Sequence, residues 1–306
     1  MRLRQGTRVL DRGDGALQVG VRAPVVLASL TPEQRRFVEL LETAHTITPH
    51  ERSRFAPLVH VLDDAGLLTP ARSTPQPHTA AINDAGPVGV NVAIALARAG
   101  WAIRLVDDGP AAASPRNTYA PGGLASTRQA AAADTIARLV PGTDVRVGAP
   151  RADVWVLVSH GAAALDLAVA LMASDTPHLF VIADERGAHV GPLVFPGEGA
   201  CGMCAGHERA AADPAWPILS LQLRAPAVAP PHMSADVAAS VSGLACGALG
   251  AWRSGDARAW LNRTWVVTTN APPVSRSLTA AVDCGCGAAG PVGDELAARR
   301  ARFPCD

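Results

Sequence analysis

Two close pairs of cysteines constrain the fold of this chain more than any other feature. Cys201 and Cys204 flank the dipeptide Gly-Met, and Cys284 and Cys286 flank a single glycine. Together the pairs supply four thiolates, a ligand set typical of a structural, tetrahedral zinc ion. Because a long interval separates the pairs, such an ion would hold the C-terminal segment against the middle of the chain. Two disulfides or four unrelated buried thiols are the alternatives, and His207 is an alternative zinc ligand.

The composition indicates which kinds of partner and cellular location the chain favours. The 306-residue chain carries 27 basic and 27 acidic side chains, so no net charge favours a nucleic acid or an anionic membrane as partner. It contains no lysine, so arginine supplies every fixed cation. We find neither a secretory signal nor an apolar run of membrane-spanning length. Clustered cysteines without an export signal favour a reducing, cytoplasmic location.

The first seventy residues read as a separate, winged-helix-like α+β module. Residues 7–11 and 16–21 alternate apolar and polar side chains around Gly13-Asp14-Gly15, which predicts a hairpin. A helix is expected to begin after Thr31, which precedes proline, and a second helix is expected over 55–62. The proline-rich, polar segment 71–78 is expected to be a linker.

The remaining chain alternates strand and helix. Apolar strands are expected over 80–83, 101–107, 153–158 and 179–183, with helices over 90–99 and 127–139. Continuous apolar strands are typical of a parallel sheet buried on both faces. Further strand-like segments, 190–195, 264–269 and 275–282, flank the cysteines and are expected to form an antiparallel layer. The predicted fold class is therefore α/β: a Rossmann-like, doubly wound sheet over 79–290 with a zinc-held antiparallel layer, followed by a tail over 291–306.

The turn between the first parallel strand and its helix is similar to a nucleotide-binding loop. It reads Asp84-x-Gly86-x-x-Gly89, and such loops need glycines where the backbone approaches phosphate at a helix N-terminus. An aspartate occupies the first glycine position and adds negative charge there. Asp107 or Asp108, at the end of the second strand, could hold a ribose hydroxyl. A plain strand-to-helix turn is the alternative.

These segments together resemble the ThiF/MoeB superfamily of adenylating enzymes, which is related to ubiquitin-activating proteins. Within it, the chain is similar to actinobacterial ThiF-like proteins associated with peptide modification. The resemblance covers about residues 78–287, and the N-terminal module resembles the leader-peptide recognition fold found beside peptide-cyclising enzymes. The motifs that carry it are Ala85-Gly-Pro-Val-Gly89, Leu105-Val-Asp-Asp-Gly-Pro110, Val190-Gly-Pro-Leu-Val-Phe-Pro196, Gly199-Ala-Cys-Gly-Met-Cys204 with His207-Glu-Arg and Asp213-Pro-Ala-Trp-Pro217, and Asp283-Cys-Gly-Cys286.

The resemblance implies an ATP site, with Mg²⁺, in which a carboxylate attacks the α-phosphorus. The ribose carboxylate would be Asp107 or Asp108, and Arg116 would be the arginine expected after that strand. The expected lysine is absent, and Arg128 stands nearest to its place. Ser159-His160 replaces the expected metal-binding aspartate. Arginine is bulkier than lysine and has a different hydrogen-bonding geometry. The aspartate at the first glycine position, the absent lysine and the absent metal-binding aspartate are thus three departures from the family's pattern at one site.

The sequence therefore favours a ThiF-like protein with a degenerate ATP site, acting as a scaffold that binds a peptide or carrier protein for a modifying enzyme. An active adenylyltransferase that uses Arg116 and Arg128 on phosphates is the alternative. A nicotinamide oxidoreductase is a third possibility. Cys246, in an alanine-rich helical stretch, is expected to pack rather than react, and a homodimer is plausible from the resemblance.

Overall fold

A computed structural model describes residues 1–69, 78–115, 117–121, 126–148, 151–223 and 233–286. The chain divides into two compact units, Met1–Gln76 and Pro77–Asp306. Most of the linker expected over 71–78 lies outside the described residues, as does the tail expected over 291–306. Each unit is described separately below.

The first unit combines short strands with three helices. Its strands are β1 (Arg2–Leu3), β2 (Val9–Asp11), β3 (Leu17–Val19), β4 (Val25–Leu27) and β5 (Leu68–Thr69), and its helices are α1 (Pro32–Leu41), α2 (Pro49–Arg54) and α3 (Ala56–Asp64). β2, β3 and β4 form an antiparallel sheet, and β1 pairs with β5. The sequence predicted the β2–β3 hairpin, but β1, β4 and β5 are too short to produce a clear alternation pattern.

Local capping explains where the first two helices begin. The Thr31 and Thr48 hydroxyls each accept a hydrogen bond from the backbone N–H three residues later, and the side chains of Gln34 and Glu51 accept one from the backbone N–H of the cap residue. These capping boxes satisfy N–H groups that a helix leaves unpaired. The helices bury Phe37, Leu41, Leu62 and neighbouring apolar residues in the core of the unit.

The second unit is built on one eight-stranded sheet. The strands are β6 (Thr79–Ile82), β7 (Ala102–Leu105), β8 (Val145–Val147), β9 (Val154–His160), β10 (His178–Asp184), β11 (Gly187–Val194), β12 (Arg263–Thr268) and β13 (Val274–Ser277). The helices are α4 (Pro87–Arg98), α5 (Arg128–Leu139), α6 (Leu165–Ala173), α7 (Gly202–Ala212), α8 (Trp216–Leu223) and α9 (Ala235–Arg253). The predicted parallel strands and the α4 and α5 helices are confirmed, with shifts of a few residues at their ends.

The sheet has the strand order β13-β12-β11-β10-β9-β6-β7-β8. The five strands from β10 to β8 are parallel, and β11, β12 and β13 continue the sheet antiparallel. The expected antiparallel segments therefore extend the parallel sheet and are not a separate layer. The reason is that β10 and β11 are joined by a tight turn, so β11 pairs beside β10 in the same sheet.

Helices cover the two faces of this sheet. α4, α5 and α9 contribute Val92, Ile136 and Val241 to one buried cluster, while α6 and α7 contribute Leu171 and Cys204 to a cluster on the other face. This arrangement is the doubly wound α/β architecture that the sequence predicted. α9 is long and apolar enough to span a membrane by length and composition. Its residues Val237, Val241, Ala245 and Leu249 are instead buried against the sheet and α4, so it is a core helix.

Candidate functional site

The parallel half of the sheet reverses its strand order between β6 and β9. β7 lies on the far side of β6, and β10 lies on the far side of β9. Asn83 bridges the two strands at this point: its Nδ2 donates to the Val158 carbonyl (3.0 Å), and its Oδ1 accepts from the Val158 N–H (2.7 Å). Open α/β sheets bind ligands in the crevice at such a switch point, so the predicted nucleotide loop lies where a ligand site is expected.

Asp84, at the first glycine position of the predicted loop, directs its carboxyl group to the start of α4. Its side-chain Oδ2 accepts a hydrogen bond from the Gly89 N–H (3.0 Å), in the first turn of α4, and the Gly86 backbone also donates to the carboxylate. These are N–H groups of the kind that hold a phosphate in a functional loop. Burial raises the pKa of Asp84, and the hydrogen bonds and His160 oppose that shift.

The two predicted glycines are required by this arrangement. A Cβ on Gly89 would lie 1.9 Å from the Asp84 carbonyl oxygen, and one on Gly86 would lie 3.0 Å from Asp84 Oδ1. The first distance is impossible for any side chain, so helix α4 can pack against the end of β6 only with glycine at position 89. The glycines thus serve the close strand-to-helix turn, whether or not a nucleotide binds.

Asp107, the predicted ribose carboxylate, lies just beyond β7 and is paired with Arg128. Arg128 Nε donates to Asp107 Oδ2 (2.9 Å) and Arg128 Nη2 donates to Asp107 Oδ1 (2.8 Å), a bidentate ion pair. The N–H groups of Ala85 (2.8 Å) and Gly109 (3.1 Å) donate to the same carboxylate. Only 6% of the Asp107 side chain is exposed, and 31% of that of Arg128. The four hydrogen bonds leave little of the carboxylate for a ribose.

Neighbouring residues that the sequence did not suggest fix this ion pair. Gln129 Oε1 accepts from the Asp107 N–H (3.1 Å), which ties the start of α5 to the end of β7. The Tyr119 hydroxyl donates to the Ala85 carbonyl (2.8 Å) and also contacts the Ser114 hydroxyl (2.9 Å). Gly109 leaves room for the Arg128 guanidinium, since a Cβ there would lie 2.6 Å from Nη2. An isolated glutamine, tyrosine or glycine carries no sequence signal for such roles.

The other predicted nucleotide residues are not brought into this network. Asp108 is exposed, and Arg116 lies outside the described residues. Ser159 and His160 stand at the end of β9, where the resemblance implied a metal-binding acid. The Ser159 hydroxyl and His160 Nδ1 are buried there with no hydrogen-bond partner among the described residues. His160 is near enough to Asp84 to favour the charged form of that carboxylate.

The four predicted cysteines form a single cluster. All four Sγ atoms lie within 4.8 Å of one another. Cys201 and Cys204 are 3.8 Å apart, and Cys201–Cys284 and Cys204–Cys286 are each 3.6 Å apart, measured between sulfurs. A tetrahedral ion with metal–sulfur bonds of about 2.3 Å would place its ligands about 3.8 Å apart. The cluster therefore fits a metal ion of that size, and His207 is exposed on α7 and is not among the clustered ligands.

The first cysteine pair is positioned by the start of α7. Cys201 is the N-cap residue of that helix, and Gly202 follows it. A Cβ on Gly202 would lie 2.4 Å from the Phe180 ring, so glycine lets the helix approach β10. Burial raises the pKa of the Cys201 thiol to about 11. A metal ion would reverse that shift, because it binds the deprotonated thiolate and releases the proton.

No protein-family model matches the sequence, and no curated protein matches it in sequence. Solved structures do match. E. coli MccB with the peptide MccA has a TM-score of 0.60 at 14% identity, covering 93% of this chain and 98% of that chain. E. coli MccB with ATP has a TM-score of 0.58 at 14% identity, with the same coverage. PaaA has a TM-score of 0.59 at 13% identity, covering 91% of this chain and all of that chain.

The likeness extends over more than nine-tenths of the chain, so the protein has the fold of MccB and PaaA. It agrees with the α/β fold class that the sequence predicted. The structure of MccB described as the microcin C7 biosynthetic enzyme in complex with N-formylated MccA has the same fold, at 14% identity. At this identity the chemistry of each site must be argued from the residues present here.

Proposed function

We propose that this protein is a member of the ThiF/MoeB superfamily that binds a peptide for modification and has lost efficient ATP chemistry. The observation that carries the proposal is the closed nucleotide crevice. The Asp84 carboxyl group accepts hydrogen bonds from the backbone N–H groups at the start of α4. The Asp107 carboxylate accepts hydrogen bonds from Arg128 and from two backbone N–H groups. A nucleotide would have to displace the Asp84 carboxyl group and break a bidentate ion pair that is largely buried.

Calorimetry on the metal-loaded protein tests the loss of nucleotide binding. Titration with magnesium ATP is expected to produce no heat at millimolar concentration, since both ligand positions are occupied by side chains. Binding at micromolar ATP that Asp107→Ala weakens would contradict the proposal. Asp108→Ala is the matched control, because that neighbouring carboxylate is exposed.

The peptide would bind to the first unit by strand addition. β3 is the central strand of its sheet, so β2 and β4 are the edges. The β2 side is contacted by α1: Arg35 bonds Asp11 and the Gly15 carbonyl. The β4 edge carries Val26, which is 49% exposed. An extended peptide can pair its main chain with such an edge, and apolar side chains beside it supply specificity.

A charged substitution on this edge tests the peptide role. If a short precursor peptide is encoded beside the gene, that peptide, labelled with a fluorophore, is expected to bind the full chain and to lose about tenfold in affinity on Val26→Glu. Val61→Glu is the control, because Val61 is similarly exposed on α3, away from the strand edge. Equal affinity of all three proteins would rule out the β4 edge as the binding site.

The alternative function is an active adenylyltransferase for a peptide or carrier-protein carboxylate. Arg128 favours it, because a partly exposed guanidinium beside the crevice could turn to a phosphate. The likeness to the ATP-bound MccB fold points the same way. Pyrophosphate exchange that depends on the peptide and disappears in Arg128→Ala would support this alternative. Absence of exchange with every carboxylate partner would exclude it.

We further propose that the cysteine cluster holds zinc, through Cys201, Cys204, Cys284 and Cys286. With four protein ligands the ion would be structural and would take no part in chemistry. Thiolate ligands that must stay reduced agree with a cytoplasmic location.

We also propose that the protein is a homodimer that pairs through α8. The exposed fractions of Ile218 and Leu221 on this helix are 61% and 60%. Sedimentation of Ile218→Glu is expected to show a monomer.

A further inference from the structure

A second pocket lies on the face of the sheet opposite to α4. Its floor is formed by β10 to β13, its wall by α7 and α8, and its volume is about 510 Å³. Phe180 and Ile182 on the floor and Met203 on the wall are apolar, and Ala162 and Ala163, which follow β9, stand at its rim. This volume lies within the range of ordinary small-ligand pockets, about 300–1,000 Å³.

Two arginines give the pocket its charge. Arg209 on α7 and Arg276 on β13 both line it, the first from the wall and the second from the floor. Among the described residues, neither has a carboxylate within 4.0 Å, whereas Arg128 and Arg104 each form an ion pair. Glu208 is the acidic residue in the lining; it is exposed. The lining therefore retains unneutralised positive charge.

A neighbouring aromatic ring orients one of these cations. The Arg209 guanidinium lies over the Trp216 ring, 4.5 Å from its centroid, a stacking that holds the planar group in place while leaving its edge free to donate. His189, on the floor, has its Nε2 atom 3.3 Å from Asp184 Oδ2. Burial lowers the pKa of His189, Asp184 opposes that shift, and Arg209 and Arg276 add to it, so both arginines lie near this part of the floor.

We propose that this pocket binds a carboxylate group of a peptide, with the apolar side chain beside it on Phe180 and Ile182. The inference rests on the proposed peptide-binding function and names the feature of the peptide that the α/β unit recognises. A carboxylate is planar and accepts the paired hydrogen bonds that a guanidinium donates. The two sources of such a group are an acidic side chain and a chain terminus, which the same pocket chemistry would accept.

Three short probes distinguish the sources in titrations of the full-length, zinc-loaded protein. They are acetyl-Phe-Glu-amide, with a side-chain carboxylate; acetyl-Phe-Gln with a free C-terminus; and acetyl-Phe-Gln-amide, which has no charge. At least one of the first two is expected to bind about tenfold more tightly than the neutral amide. The tighter of the two identifies the source. Equal binding of all three, or no binding of any at about 5 mM, would overturn the proposal.

Arginine variants place the binding in the pocket. Arg276→Gln and Arg209→Gln are each expected to weaken the charged probe about tenfold and to leave the neutral amide unchanged. Arg263→Gln is the matched control: it lies on the neighbouring strand β12, is exposed, and does not line the pocket. Zinc content and circular dichroism establish that each variant is folded. If Arg263→Gln weakened binding of the charged probe equally, the loss of affinity would come from the change in overall charge, and the assignment to this pocket would be overturned.

The experiments distinguish failure of the carboxylate pocket from failure of the proposed peptide-binding function. Precursor binding that depends on Val26, together with a pocket that ignores carboxylates, would leave the first unit as the peptide site and remove only this inference. Carboxylate binding that depends on Arg276, without any binding of the precursor, would leave the pocket and remove the peptide function.

Discussion

At the scale of single residues, the ion pair between Arg128 and Asp107 determines what the nucleotide crevice can do. The carboxylate lies at the strand end where the sequence placed it, but four donors already engage it. The arginine that was expected to contact phosphate contacts this carboxylate instead. The ion pair stabilises the fold, and it also occupies the carboxylate that a nucleotide would bind.

Removing the cation should therefore destabilise the protein. Arg128→Ala leaves a nearly buried carboxylate without its countercharge, and we expect a loss of about 2 kcal/mol. That is less than the roughly 3–5 kcal/mol found for fully buried pairs, because the Ala85 and Gly109 N–H groups remain on Asp107 and Arg128 is partly exposed. Denaturant unfolding measures it. Arg128→Lys is the control and should lose less, and equal stability of all three proteins would contradict the pairing.

Asp84 should make stability fall as pH rises. Its pKa is raised by burial above the ordinary value of 3.8, so between that value and the raised pKa the folded state binds more protons than the unfolded state. Stability is then present below pH 3.8 and is lost as pH rises through the folded pKa. Asp84→Asn removes this loss while keeping an oxygen acceptor for Gly89.

Thermal unfolding of both proteins across this pH range tests the effect of Asp84. The difference in Tm, variant minus wild type, is expected to be small near pH 4 and to grow as pH increases. A difference that shrinks with pH would mean that the carboxylate is stabilised in its charged form by the helix N-terminus.

At the scale of elements, α4 depends on glycine at one position. Gly89→Ala would force a Cβ to 1.9 Å from the Asp84 carbonyl oxygen, so the strand-to-helix turn must open. We expect loss of soluble protein or a fall in stability of several kcal/mol, about 3 or more. Gly243→Ala is the matched control on α9, where a Cβ meets nothing within 4 Å and the residue is exposed.

The control variant, Gly243→Ala, is expected to change stability in the opposite direction. Alanine has a higher helix propensity than glycine by about 1 kcal/mol in an exposed helix interior, so Gly243→Ala should raise the unfolding midpoint slightly. Measurement of soluble yield and Tm for both variants is sufficient. Similar behaviour of the two would show that α4 tolerates a shift at its N-terminus.

At the scale of the whole molecule, the cysteine cluster joins segments more than seventy residues apart in sequence. Its second pair follows β13, and its first pair begins α7. Apparent binding energies of structural zinc sites are about 10–16 kcal/mol. The ion would therefore contribute strongly to the second unit, whose C-terminal described segment has few other anchors.

Metal analysis tests that role directly. The purified protein is expected to contain one zinc per chain, and Cys284→Ser should lower both the zinc content and the Tm. Cys246→Ser is the matched control, because that thiol lies on α9 outside the cluster. Full zinc content in Cys284→Ser would exclude the four-cysteine site.

The sequence by itself determined most strands of the second unit, the helices α4 and α5, and the four clustered cysteines; it did not indicate β8, α6, α7 or α8. Apolar runs of fixed length and close cysteine spacing are local signals, since they depend on neighbours along the chain. It also located Asp107 at a strand end. The winged-helix interpretation of the first unit stays a prediction. The hairpin, the helix α1 with its Thr31 cap and the helix α3 were predicted from local residues, whereas α2 was not.

Only the tertiary structure decided how the candidate sites are filled. Arg128 meets Asp107 because the start of α5 packs beside the end of β7, and Arg209 and Arg276 share a pocket because α7 and β13 both line it. Of the antiparallel strands, β11 joins the sheet through its tight turn with β10, whereas β12 pairs with β11 across a long stretch of sequence. Long-range contacts are set by how elements pack, and a single sequence records the elements far more directly than their packing.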